Sequence, residues 1–220
     1  YIDNRSYGIL ISNKSDSNIL NCNVSDFYVG IEIVTGYRNF ISSNKAMSNA
    51  YGFRGELYSN NNDFINNIAE ANSDYGFHLY VGSYFNTFQG NTAHGNNYGA
   101  YITNSRHNAL FNNVFSGNLL YGLRLNDDSW NNTIYNNRFS NIGGNAIETT
   151  GSTNNYWNLG SIGNYWSDFS INPGYPSHYE IEGAGNGIDY YPRELAISCY
   201  NGVQDAGEEG VDCGGPCPFV

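Results

Sequence analysis

Basic residues are scarce. Nine Lys and Arg, scattered singly, stand against twenty Asp and Glu in 220 residues, giving a net charge of -11 and a pI near 4.5. A nucleic acid is therefore not an expected partner, because its binding rests on clustered cations. No apolar run reaches the roughly 18 residues that a membrane-crossing helix needs, and no charged-then-apolar leader opens the chain. Methionine occurs once, at Met47, which argues against the thioether clusters that hold Cu(I). Cysteine is limited to four residues, unevenly placed: Cys22 is alone, whereas Cys199, Cys213 and Cys217 crowd the last 22 residues. A cysteine cluster of that kind suits a disulfide staple in an oxidising, extracytoplasmic setting. A first residue of Tyr in place of Met is what a processed chain would have.

Asparagine, by contrast, makes up about one residue in six, and aromatics reach 16%. Such a bias points to internal repetition, and the spaced aliphatic and aromatic residues argue against disorder. Aligning the chain on an aromatic residue or Val followed by Gly places landmarks at Gly8, Gly30, Gly52, Gly76, Gly99 and Gly122, with Asn145 in the seventh place. The period is 22 to 24 residues. After each landmark the residues alternate, as in GILI, GIEI, GFHL and GLRL, so one face of a short strand is buried. Farther on, asparagines recur five residues apart, as in Asn39, Asn44 and Asn49 or Asn86, Asn91 and Asn96; Asn18 with Asn23 keeps the first step. Two residues after the first Asn of each set stand Leu20, Ile41, Phe64, Phe88, Leu110, Ile134 and Trp157, and two after the second stand Ser25, Ala46, Ala69, Ala93, Phe115 and Phe139. All of these are expected to point inward.

Three short strands per repeat of about 23 residues are too few for a propeller blade, and the helical half of a leucine-rich repeat is missing. The arrangement that remains is an all-β solenoid, a parallel β-helix of about seven coils. In it, equivalent residues lie one above another at about 4.8 Å, in a rod about 30 Å long. Asparagines then stack amide over amide, and Asn also tolerates the left-handed backbone that corners require. Tyr7, Tyr51, Tyr75, Tyr98 and Tyr121 form a further column, read as packing in preference to a binding strip.

The repeat [YV]-G-h-x-h followed by N-x-h-x-x-N-x-h, over residues 7–157, resembles the NosD-like group of carbohydrate-binding proteins and sugar hydrolases. GNYWSDF at 163–169 and YEIEGAGNGIDYYP at 179–192 are similar to the segment that closes many surface proteins of this group. The resemblance implies a right-handed coil, export, and either polysaccharide contact or a structural place at the cell surface. It also implies periplasmic copper handling, against which the single Met47 and the cysteines outside the coils both speak. The expected division is a β-helix over 1–160, an irregular closing segment over 161–192 and a cysteine-rich acidic tail over 193–220. That tail is similar to a secreted microbial motif, C-x-N-G-x-x-D-x-x-E-x-G-x-D-C-G-G-x-C.

Outward positions of the first strand form a strip of Glu32, Val34, Arg54, Glu56, His78, Tyr80, Tyr101, Thr103, Arg124 and Asn126. Within it Arg54, Glu56, His78, Tyr80, Tyr101 and Arg124 are the candidate sugar contacts, with rings against pyranose faces and charged groups on hydroxyls. An ordinary solvated sheet face with a Glu32–Arg54 pair is the competing reading. Catalysis on a glycosidic bond needs converging carboxylates, and Arg124 beside Asp127 and Asp128 is the nearest approximation to a lyase site. His78, His94, His107 and His178 share no column and no metal-ligand spacing. In the tail, Asn201, Asp205, Glu208, Glu209 and Asp212 offer oxygens for Ca²⁺, or else form a solvated loop stapled by Cys199 to Cys213 or Cys217. The expected function is that of an extracellular, non-catalytic surface protein that binds polysaccharide or assembles head to tail, tail against Cys22 of the next subunit. A polysaccharide lyase or glycoside hydrolase is the alternative.

Overall fold

The computed structural model describes residues 6–194. Cys199, Cys213, Cys217 and the oxygen-bearing residues Asn201, Asp205, Glu208, Glu209 and Asp212 lie outside the described residues, as do the proposed Ca²⁺ site and disulfides.

The chain winds as a right-handed parallel β-helix with three sheets running along its length. The first sheet stacks the six- and five-residue strands Tyr7–Ser12, Val29–Val34, Tyr51–Glu56, Tyr75–Tyr80, Tyr98–Thr103, Tyr121–Asn126 and Gly144–Glu148, and Glu182–Gly183 extends it. The second and third sheets stack three-residue strands, beginning at Asn18–Leu20 and Asn23–Ser25. Every pairing between successive coils is parallel and in register, for example Phe77 beside Phe53 and Ala100. The core takes two files from the first sheet, Ile31, Phe53, Phe77, Ala100 and Leu123 beside Ile33, Leu79, Ile102 and Leu125, and one file each from the others, Ile41, Phe64, Phe88 and Leu110 from the second and Ala46, Ala69, Ala93 and Phe115 from the third. Phe64 and Phe88 stack with centroids 4.6 Å apart, as parallel register demands of identical side chains. Glycine at the second position of the first six long strands is required by close stacking, since a Cβ on Gly76 would lie 2.6 Å from the carbonyl oxygen of Gly99; in the seventh, Asn145 takes that place.

The asparagine ladders run as expected and have a direction. Asn91 accepts the backbone N–H of Asn67 (2.9 Å) and its amide (3.1 Å) at Oδ1, while its own Nδ2 donates to Asn113 Oδ1 (3.0 Å) and to the Phe64 carbonyl (2.8 Å). Each ladder amide is thereby satisfied away from water. Because donors point toward the C-terminal end, the last members need acceptors there, and acidic residues supply them. The central ladder ends with Asn164 donating to Asp189, and another with Asn145 donating to Asp168 (2.7 Å). Asn155 of the remaining ladder hydrogen-bonds Glu148, as does the indole of Trp157 (2.7 Å). Burial pushes the carboxyl groups of Glu148 and Asp189 up.

Stacking and left-handed backbone are divided between neighbours. The residue just before a ladder Asn takes the positive φ, as at Asn61 (56°), Asn66 (53°), Asn112 (58°) and Asn136 (53°). This explains the recurrent Asn-Asn dipeptides. A second correction concerns the first coil. Asn18 pairs with Phe40 and Asn23 with Lys45, so neither lies on a ladder; both are exposed, and Ile19 and Val24 point inward where Leu20 and Ser25 were expected. The coil is 22 residues long, which sets Ser17, Cys22 and Phe27 opposite Asn39, Asn44 and Asn49; their backbone N–H groups donate to those amides at 2.9–3.0 Å. A five-residue step survives there without the ladder that produces it elsewhere.

The closing segment continues the same sheets. Tyr165–Trp166 pairs with Arg138–Ser140, and Arg193–Glu194 pairs with Tyr165–Trp166. Trp157 and Trp166 fill the end of the core, each with its indole N–H on a buried carboxylate.

Candidate functional site: the groove on the long-strand sheet

Two files of side chains stand on the outer face of the first sheet. One runs Glu32, Arg54, His78, Tyr101, Arg124, and the other runs Val34, Glu56, Tyr80, Thr103, Asn126. The alternation read from sequence placed all of these outward. It did not foresee that half of them, including most of the charged ones, are covered: Glu32 is 0% exposed, and Arg54, His78 and Glu56 are 7 to 8% exposed. The strip is therefore neither a solvated sheet face nor a row of free charges. The column of tyrosines beside it accounts for the covering. His78 packs against Tyr51, Tyr75, Tyr80 and Tyr101 with ring centroids 4.8–5.6 Å apart.

Arg54 is held between two carboxylates. Its Nη1 lies 3.2 Å from Glu32, its Nη2 contacts Glu56, and its guanidinium lies over the rings of Tyr51 and Tyr80. Two acids thus share one guanidinium in this buried set. Arg124 lies across Tyr98 and Tyr101 and donates to Tyr98 Oη (3.3 Å) and Asn126 Oδ1 (3.2 Å), while Asn126 donates to Asp127 (2.5 Å). Burial, helped by the positive charge of Arg54, pushes the His78 imidazole down to about 3, so the ring is neutral at physiological pH. Burial and the neighbouring Tyr28 push the Tyr51 hydroxyl well above its ordinary value.

Between the files a groove of about 380 Å³ is bordered by Tyr75, His78, Tyr80, Tyr101, Thr103 and Asp127. His78 Nδ1 and Thr103 Oγ1 make no hydrogen bond among the described residues. Of the expected sugar contacts, Arg54, His78, Tyr80 and Tyr101 thus meet at one place; Glu56 sits behind Arg54, and Arg124 flanks Tyr101. A larger concavity of about 600 Å³ separates the strand Gly144–Glu148 from the closing segment. Its acids are already engaged, Asp168 by Asn145 and Tyr179, and Glu182 by Tyr121.

Two features escaped the sequence reading. One is a file of buried serines, Ser59, Ser83, Ser105 and Ser129, which turns the corner after each long strand; Ser83 N–H donates to Ser105 Oγ at 3.2 Å. Its signal is a Ser three residues before the first ladder Asn. The other is an exposed aromatic ridge on the same corner. Phe85 stacks on His107 (5.0 Å), His107 meets Trp130 edge-on, and Arg106 lies between Tyr84 and Trp130. Phe85 is 56% exposed with φ of 58°, in a place where Asn stands in other coils.

The fold and the groove define the class: a parallel β-helix with an aromatic-lined groove on its long-strand face. The sequence profile described as "Periplasmic copper-binding protein (NosD)" matches residues 1–171, and the chain belongs to that family. Two solved structures are similar to it, the periplasmic alginate epimerase AlgG (17% identity, TM-score 0.54, covering 68% of this chain and 42% of that one) and a single-substitution mutant of the same protein (20%, 0.56, 68% and 37%). At these identities they establish the fold alone, and the chain spans about two fifths of their length. No curated protein matches the sequence.

The family description raises copper, and the described residues do not fit it. No group of three His, Cys, Asp or Glu among them converges on one point. Met47, Glu70 and His94 do share an outward file, but Glu70 is taken by Lys45 (2.7 Å) and His94 by Ser116 (3.1 Å). No helix of the described residues is long and apolar enough to cross a membrane.

Proposed function

We propose that the protein is a non-catalytic, extracytoplasmic component, placed at the cell surface, whose long-strand groove receives a segment of polysaccharide. The observation that carries this reading is the meeting of aromatic rings with polar side chains along one groove. Tyr75, Tyr80 and Tyr101 supply rings of the kind that pack on pyranose faces, and Asn126 and Asp127 stand beside them to hydrogen-bond hydroxyl groups. The similar structures of an alginate epimerase are in keeping with a sugar chain lying along such a face.

Binding is favoured over turnover by the state of the titratable groups. A histidine lowered to about 3 is a weak base, a tyrosine raised by burial is a reluctant proton donor, and Glu32 and Glu56 are both committed to Arg54. Arg124 and Asp127, the expected approximation to a lyase site, are linked through Asn126. Electrophoresis through gels containing dissolved polysaccharides tests the reading. Retardation of the wild-type protein, lost in Tyr80→Ala and Tyr101→Ala, with no new chain ends released from the polysaccharide, is expected. Release of chain ends would instead establish the lyase or hydrolase alternative.

Head-to-tail assembly is a second reading, favoured by one observation. Tyr7–Ser12, Asn18–Leu20 and Asn23–Ser25 are all edge strands at the same end, and among the described residues none pairs on its outer side. Edge strands of this kind can pair with a further chain, and a heterologous contact there would not close. Reducing and non-reducing gels with electron microscopy test it; a monomer under every condition removes it.

A further inference from the structure

Resting on the reading of the groove as a glycan site, we infer that its ligand is a neutral polysaccharide and not a polyuronate. The charge at the groove points that way. Glu32, Glu56 and Asp127 stand against Arg54 and Arg124, and Arg54, the guanidinium that borders the groove, is sealed between two of the acids. Arg54 is buried and held on both sides by carboxylates. Arg124 is half-buried, spread over two tyrosine rings and hydrogen-bonded to Tyr98 and Asn126. A ligand carboxylate would have to displace Glu32 or Glu56 from Arg54 and leave a buried acid unpaired, or draw Arg124 away from its tyrosine and asparagine partners.

Apart from the sealed Arg54, the polar lining of the groove is His78, Thr103, Asn126 and Asp127, which offers no cation to a ligand carboxylate. The rings of Tyr75, Tyr80 and Tyr101 suit the apolar faces of neutral sugars. The chain as a whole carries -11, so a polyanion approaching along several coils meets repulsion over its length as well as at the groove. Alginate, named for the similar epimerase, is such a polyanion.

The full chain is to be run in gels containing a neutral glucan, mannan or galactomannan, and in parallel in gels containing alginate or polygalacturonate, at low and high salt. The expected result is retardation by at least one neutral polymer, unchanged by salt, with about tenfold weaker or absent retardation by either polyuronate. Preference for a polyuronate that weakens as salt rises, and that Tyr101→Ala abolishes, overturns the neutral class and leaves the groove as a glycan site. Retardation by none of the polymers, or by a neutral polymer equally well in wild type, Tyr80→Ala and Tyr101→Ala, overturns the groove reading itself. Tyr80 is exposed and Tyr101 half-buried, so these variants keep their core, and matching far-ultraviolet circular dichroism verifies that they fold.

Discussion

Replacing Asn91 by alanine probes the feature on which the coil depends. The side chain makes four hydrogen bonds of 2.8–3.1 Å, two as acceptor from Asn67 and two as donor to Phe64 and Asn113. Truncation leaves the buried Asn67 N–H without its acceptor, at a cost of about 1–3 kcal/mol, and removes the net benefit of the remaining bonds at about 1 kcal/mol each. Asn67 Nδ2 keeps the Ile41 carbonyl and Asn113 Oδ1 keeps the Asn91 N–H, which limits the damage. The sum is about 4–6 kcal/mol, or on the order of 10–20 °C in Tm for a chain of this size. Asn18→Ala is the matched control: the same residue type on the same five-residue step, yet exposed and off the ladder, so its cost should stay within about 0.5 kcal/mol. Urea titrations followed by circular dichroism, with hydrogen exchange at the Asn67 amide, measure both. Equal losses for the two variants would refute the argument, because the ladder and not asparagine content is held to supply the stability.

Arg54→Leu strips Glu32 and Glu56 of their shared partner and should cost about 3–5 kcal/mol; replacing all three residues with leucine should restore most of the loss, read by thermal denaturation. His78 supplies a pH dependence whose sign is set by a folded value below the ordinary 6.5. Its contribution is complete above about 6.5, drains away as pH falls and is lost near 3, so His78→Gln should flatten stability against pH across that window. Glu148 and Asp189, raised by burial, act in the opposite sense: they favour folding as pH falls, and the His78 variant should expose that slope. Phe85→Asn relieves a left-handed phenylalanine on the surface and should raise stability by about 0.5–1 kcal/mol despite loss of the His107 stack, as measured by urea midpoint.

Legibility differed between levels of structure. Coil period, strand alternation, the glycine at the second position of the first six long strands and the inward Ile41, Phe64, Phe88 and Leu110 could all be read directly, because a stacked coil places one residue type at one position again and again. The first coil misled because a five-residue step is a local count, whereas a ladder is a vertical match between coils; only the 22-residue length, compared across strands, shows Asn39 above Ser17. At the groove, alternation assigned Arg54, Glu56 and His78 to the outer face but could not say that they are covered. The burial of His78 arises from Tyr75 on its own strand together with Tyr51 and Tyr101 on the neighbouring coils, about a repeat away in sequence and within 6 Å in space.

What the sequence determined by itself is thus the winding of the chain: repetition writes each packing and hydrogen-bonding demand several times over, and local alternation suffices to read it. What only tertiary structure decided is the character of the surface. Whether Arg54 is a free cation or a sealed one, whether His78 is charged, and where the ladders end on Asp168, Asp189 and Glu148 all follow from contacts between coils. Electrostatics and burial depend on everything within a few ångströms, and in a solenoid those neighbours come from the coils above and below.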